Sequence, residues 1–223
     1  MEFKLNFDIN EKIYLRNPES SEIGKLMIKK AIDLICELGF EQFTFKKLAL
    51  EINSTEATIY RYFENKHRIL LYILNWYWCF MDFLFTVKLE NISNDREKLK
   101  LIIKLLSNEF LDNLYHNEYN KIYLNKIVIA ESSKAYLVKD IIEINKNEVF
   151  KPYKDLSGKI ADVISLYNPN YKFPRSLSTT LIETSHNQQF FSMYLPKLTD
   201  DIHHNGSEFT RSFLEDFVFK ILD

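Results

Sequence analysis

The chain is 223 residues long, 46% hydrophobic and 27% charged, with a formal net charge of −2. Those values describe an ordinary globular protein of one or two domains, long enough to bury a core, and the near-neutral charge does not announce a nucleic-acid binder. The glycines Gly24, Gly39, Gly158 and Gly206 stand alone, which excludes both a Walker loop and a dinucleotide fingerprint.

Residues 1–20 read as an arm. Phe3, Leu5, Phe7 and Ile9 alternate with polar residues, a strand-like period, and Asn17-Pro18 breaks whatever precedes it. The arm is expected to dock on the body. The alternative is that its Lys4, Lys12 and Arg16 reach nucleic acid. Its polar, acidic opening lacks the apolar stretch of a signal peptide. Ser21 then caps a helix whose Ile23, Leu26, Met27, Ala31, Leu34, Ile35 and Leu38 keep helical spacing up to Gly39.

The stretch Thr44–Lys66 organises the rest. Phe45, Leu48, Ala49 and Ile52 fall at i, i+3, i+4 and i+7, which predicts a two-turn helix with one apolar face. Asn53 tolerates the left-handed turn that ends it. Thr55 caps a second short helix, with Glu56 in its first turn, where Ile59 and Phe63 face inward. Ala57, Thr58, Arg61 and Tyr62 are left toward the outer side. Two short helices, a tight turn and a small, polar outer face predict a helix-turn-helix that enters a major groove. Residues 42–68 carry five cations against three carboxylates, too weak a footprint to make the case by charge.

Thr44-Phe45-Lys46-Lys47-Leu48-Ala49, Ser54-Thr55-Glu56-Ala57-Thr58-Ile59-Tyr60-Arg61-Tyr62-Phe63 and Lys66 together resemble the DNA-binding signature of TetR-family transcriptional regulators. The resemblance covers roughly residues 22–75. Asn53 departs from the family's usual Gly, and Tyr62 stands where His is frequent. The resemblance implies that Glu56, Ala57, Thr58, Arg61 and Tyr62 face the major groove, and that Thr44, Lys46, Tyr60 and Lys66 hold phosphates. Small Ala57 and Thr58 would let the backbone approach base edges, and Arg61 suits guanine. Glu56 fits either cytosine or the helix dipole.

Asn65 caps the following helix, which from Ile69 onward is aromatic on most sides and reads as a central core helix. Its apolar run Ile69–Val87 is interrupted by Asn75 and Asp82, so a membrane span is not expected. Ile92-Ser93-Asn94-Asp95 reads as a turn. Further helices are expected at about 95–115, 117–147, 152–167, 175–195 and 206–222, with Pro152, Pro169, Pro174 and Pro196 near the boundaries. The chain is therefore expected to be all-α, as an arm (1–20), a helix-turn-helix domain (21–66) and a helical bundle for ligand and dimer (67–223).

Other constellations are weaker. Cys36 and Cys79 read as reduced thiols of a cytoplasmic protein. Asp200-Asp201-Ile202-His203-His204 lacks the spacing of a metal site, and His116-Asn117-Glu118 lacks a Cys-x-x-Cys partner. No nucleophile–base pair, metal set or cofactor loop supports an enzyme, and no cofactor is expected.

The function expected is a ligand-responsive transcriptional regulator, a repressor by resemblance, binding a palindromic operator in double-stranded DNA as a homodimer. The alternative is a helical binding or adaptor protein that keeps the helix-turn-helix as scaffold. The resemblance implies that the last two long helices, residues 175–222, pair with their mates. Leu177, Leu181, Phe191 and Leu195 would lie on one, and Phe209, Phe213, Leu214, Phe217, Val218 and Ile221 on the other. The load of 18 Phe, 13 Tyr and 2 Trp suggests a cavity for a small apolar or aromatic ligand. Its expected walls are Trp76, Phe80, Phe83, Tyr115, Tyr119, Tyr123, Phe190 and Tyr194, and its polar groups Glu131, His186 and Gln189.

Overall fold

The computed structural model describes residues 6–108, 119–202 and 205–223. Among them every regular element is helical, as the sparse glycine and proline predict. The helices are α1 (Glu22–Leu38), α2 (Phe45–Glu51), α3 (Glu56–Tyr60), α4 (Lys66–Leu89), α5 (Asp95–Leu106), α6 (Lys121–Glu131), α7 (Ser133–Tyr136), α8 (Ile141–Lys146), α9 (Lys151–Tyr167), α10 (Pro174–Tyr194) and α11 (Gly206–Leu222).

The caps follow local chemistry. Ser21 Oγ accepts from Gly24 N–H, Thr44 Oγ1 from Lys47 N–H, Thr55 Oγ1 from Thr58 N–H and Asn94 Oδ1 from Glu97 N–H. Gly39 closes α1 with φ 78°, while Asn53 and Asn108 make left-handed turns at φ 49° and 61° after α2 and α5.

Two expectations change. The alternation over residues 3–9 predicted a strand, but residues 6–10 form no regular element, and the rest of the arm makes single 3-10 turns at Glu11–Ile13 and Pro18–Ser20. Asn10 and Asn17 each accept the N–H two residues on, which sets these turns locally. The helix expected over 117–147 is three helices. Leu137 leaves helical geometry at ψ 54°, and Asn120, not an earlier residue, caps its start.

The chain forms two compact units, residues 1–80 with 115–152, and residues 81–114 with 153–223. Within the first unit α6 packs along α1. That unit's core joins Met27, Ile28, Ala31, Ile32 and Ile35 of α1 to Leu48 of α2, Ile59 of α3 and Ile127 and Val128 of α6, all at most 2% exposed. In the second unit α10 packs on α11 and α5. Its core includes Leu99, Ile102, Ile103, Leu156, Ile160, Ile164, Leu181, Ile182, Leu214 and Val218, each fully buried. α4 is long and apolar enough to cross a membrane, but 78% of that apolar window is buried inside the protein.

Candidate nucleic-acid interface

α2 and α3 owe their arrangement to a tight turn. Asn53 takes the left-handed conformation, and Ser54 N–H donates back to the Ala49 carbonyl at 2.9 Å. Phe45, Leu48, Ala49, Ile52, Ile59 and Phe63 are buried. Thr44, Lys46, Glu56, Ala57, Tyr60 and Arg61 are exposed and Thr58 is half-buried.

Several of them are held in place. The ring of Tyr60, 51% exposed, meets Phe45 edge-on at 4.8 Å. Thr58 Oγ1 lies 3.2 Å from Thr55 Oγ1 and accepts from the Arg61 guanidinium at 3.2 Å, which lays the arginine along the recognition helix. Among the described residues Lys46 and Arg61 face no carboxylate. Of the nearby acids Glu51 pairs with Lys30 at 3.7 Å and Glu64 with Arg68 at 3.5 Å, while Glu56 is exposed in the first turn of α3. With Lys46 and Arg61 against the single exposed carboxylate of Glu56, these residues carry a small positive excess, which suits a polyanion.

Two expected contacts are placed differently. Tyr62 does not face outward: it is 2% exposed, and its hydroxyl lies 2.8 Å from Ser21 Oγ at the start of α1. Four residues past Thr58 on a tightening helix end, its side chain turns under the helix. Lys66 directs its ammonium inward, donating to the carbonyls of Phe40, Glu41 and Phe43 at 3.0, 3.1 and 3.3 Å above the Phe40 ring. All three of its donors serve the α1–α2 loop. These long-range bonds leave no trace in local spacing, so sequence reasoning missed both roles.

The residues expected around a ligand fall into both compact units. In the first, Trp76 stacks on Phe80 at 5.7 Å and meets Tyr119 and Phe7 edge-on, each at 5.2 Å. These aromatics pack on one another. Tyr123 is half-buried, and Tyr115 lies outside the described residues, as do His116, His203 and His204. Glu131, expected as a polar group in a cavity, instead accepts the Phe40 N–H at 3.0 Å and pairs with Lys134 at 2.8 Å. In the second unit Gln189 is fully engaged, accepting from Asn108 and donating to Leu106 and Ser185 oxygens. His186 is buried, which lowers its pKa to about 4, and Tyr194 is 57% exposed against Phe190. Phe83 is half-buried. A cleft of about 350 Å³ lies elsewhere, where Asp8, Asn10, Glu11 and Tyr14 of the arm approach Glu148 and Lys151. Its lining is polar, unlike the apolar walls expected.

On α11, Thr210, Leu214, Val218 and Leu222 are buried, while Phe209, Phe213 and Phe217 stack in a row on another face at 6.3 and 6.2 Å. Phe213 and Ile221 in that row are 37% and 39% exposed. Leu177 and Leu181 of α10, expected at the same interface, are instead in the unit's core, as are Leu214 and Val218.

Residues 27–73 match the family model for bacterial regulatory proteins of the tetR family. Among curated protein sequences none matches the chain. Solved structures share the fold. AibR in complex with isovaleryl coenzyme A and operator DNA is similar with a TM-score of 0.58 at 16% identity, covering 89% of this chain and 98% of its own. FadR from Bacillus subtilis in complex with stearoyl-CoA gives 0.54 at 21% identity, covering 88% and 96%. A superantigen, PfiT, gives 0.61 at 15% identity, covering 93% and 99%.

Proposed function

Because the chain carries the N-terminal DNA-binding domain of tetR-family bacterial regulators, we propose that it is a ligand-responsive transcriptional regulator. It acts in the cytoplasm, binds a two-fold operator as a homodimer, and represses the genes it controls. The observation that carries this reading is the outer face of α2 and α3. Arg61 is held along the recognition helix by Thr58, beside exposed Ala57 and uncompensated Lys46. A five-residue recognition helix reaches few base pairs, so a second copy on the adjacent half-site, about 34–36 Å away, supplies the remaining specificity. The exposed aromatic row of α11 supports pairing of two copies through residues 175–222.

Ligand response is supported by the way α6 is tied to the head through Glu131 and Phe40. A small apolar molecule that shifted α6 would move the loop between α1 and α2. A coupling of about 1–3 kcal/mol changes DNA affinity roughly 5- to 150-fold. CoA thioesters are the first compounds to try, since AibR and Bacillus subtilis FadR are solved with isovaleryl and stearoyl forms.

The test is a salt-dependent mobility shift on duplex flanking the protein's own coding sequence, with and without an acyl-CoA series. Sequence-specific retardation that a CoA thioester weakens supports the reading. Retardation of no duplex at low salt would leave the helix-turn-helix as scaffold.

A further inference from the structure

The helix-turn-helix is flanked by a cation from outside the motif. Leu15 N–H donates to the Tyr62 carbonyl at 2.8 Å, which ties the arm to the residue that ends the DNA-reading segment. The next residue, Arg16, sets its guanidinium 5.1 Å from the centre of the Tyr62 ring. On the other side of Arg16 the chain is pinned again. Asn17 caps the Pro18–Ser20 turn, and the Pro18 carbonyl presses so closely on α1 that a Cβ on Gly24 would lie 2.2 Å from its oxygen. Glu19 accepts from the hydroxyls of both Tyr72 and Tyr119. Arg16 is exposed, it faces no carboxylate among the described residues, and its backbone is held at both ends.

We propose that Arg16 is a DNA-backbone contact supplied by the arm, with Tyr62 as its pedestal. This rests on the DNA-binding reading above. Tyr62 follows Arg61 directly and its carbonyl holds Leu15, so the exposed guanidinium of Arg16 is anchored next to the end of the DNA-reading segment. A guanidinium lying on an aromatic face keeps its N–H edge free, and that planar edge matches a phosphate. Holding the arm before DNA arrives removes the ordering cost that a loose arm would carry. Tyr62 therefore serves DNA binding without touching a base. Its hydroxyl is engaged by Ser21, its carbonyl by Leu15, and its ring by Arg16.

The test is fluorescence anisotropy across a salt series, using a duplex selected from random sequence by the wild-type protein, with an unrelated duplex as control. Arg16→Ala should weaken binding to both duplexes and lower the slope of log affinity against log salt by about one, with the melting temperature unchanged. Arg16→Lys should recover most of that slope. Tyr62→Phe, which keeps the ring, should keep the slope. Tyr62→Leu should lose what Arg16→Ala loses, and the double variant should lose no more. An Arg16→Ala protein with lowered melting temperature and an unchanged salt slope would show a structural clamp and overturn the proposal. If Arg61→Ala abolishes selection of the duplex while Arg16→Ala changes nothing, the DNA-binding reading stands and the arm contact falls. If the wild-type protein enriches no duplex at all, it is the DNA-binding reading that fails.

Discussion

The carboxylate of Glu131, at the end of α6, accepts the backbone N–H of Phe40, the second residue after α1, at 3.0 Å. Glu131 is 8% exposed, and Lys134 bridges it to Glu41 in the same loop through contacts of 2.8 and 3.1 Å. Lys66 holds that loop from the other side through three carbonyls. The corner between α1 and α2 is therefore clamped by one acid and two bases from distant parts of the chain.

Glu131→Ala should destabilise the first unit by about 1–3 kcal/mol, since it strands a buried backbone N–H. Glu131→Gln keeps an acceptor and should cost less. Denaturant unfolding measures both. Equal losses for the two variants would mean that the acceptor at Phe40 contributes little.

Lys66→Ala should lower stability while leaving the salt dependence of DNA binding unchanged, because its ammonium serves the Phe40, Glu41 and Phe43 carbonyls. Losing hydrogen bonds from a charged donor costs about 1.5–3 kcal/mol each at most, less here because water can reach the site. A salt slope reduced by about one, with stability intact, would instead place Lys66 on a phosphate.

Stability should fall with acid through His186. Burial lowers its folded pKa to about 4 from 6.5. The unfolded chain takes up a proton below pH 6.5 while the folded chain stays neutral until about pH 4. Stability from this group is therefore full above the unfolded value and is lost as pH falls between the two. The slope approaches about 1.4 kcal/mol per pH unit. His186→Asn should flatten that part of the profile. A difference between the two proteins that stays constant from pH 7 to 4 would contradict the assignment.

Phe213→Asp should convert a dimer into monomers with little loss of monomer stability, since Phe213 is 37% exposed on the stacked row. Leu214→Asp should unfold the second unit, because Leu214 is fully buried. Sedimentation at micromolar concentration separates the two effects. A Phe213→Asp protein that stays dimeric would move the interface elsewhere.

Much of this was legible in the residues. Ser21, Thr55 and Asn65 are caps that act on N–H groups three positions away, and Asn53 turns the chain at its own φ. Such signals lie within one turn of chain, so reading them needs no tertiary contact. The same holds for the inward row Phe45, Leu48, Ala49 and Ile52, whose helical spacing alone marks a buried face. The single helix expected over 117–147 was misjudged because apolar residues continue through 137–138, where the chain nevertheless leaves the helix and turns over 137–140.

The amino-acid sequence by itself determined that the chain is helical, where α2 begins and ends, where α3 begins, and which residues form the head's apolar face. Each of these depends on groups a few positions apart. Only the tertiary structure decided that Tyr62 lies under Arg16, that Lys66 turns inward, and that Glu131 reaches Phe40 across 91 positions. It also decided which apolar row of α11 is core, since Phe213–Phe217 and Leu214–Val218 have the same spacing of four. An amphipathic period says that a face seeks burial, and long polar side chains seek partners. Which neighbour meets each is set by elements far apart in the chain, whose packing no local spacing encodes.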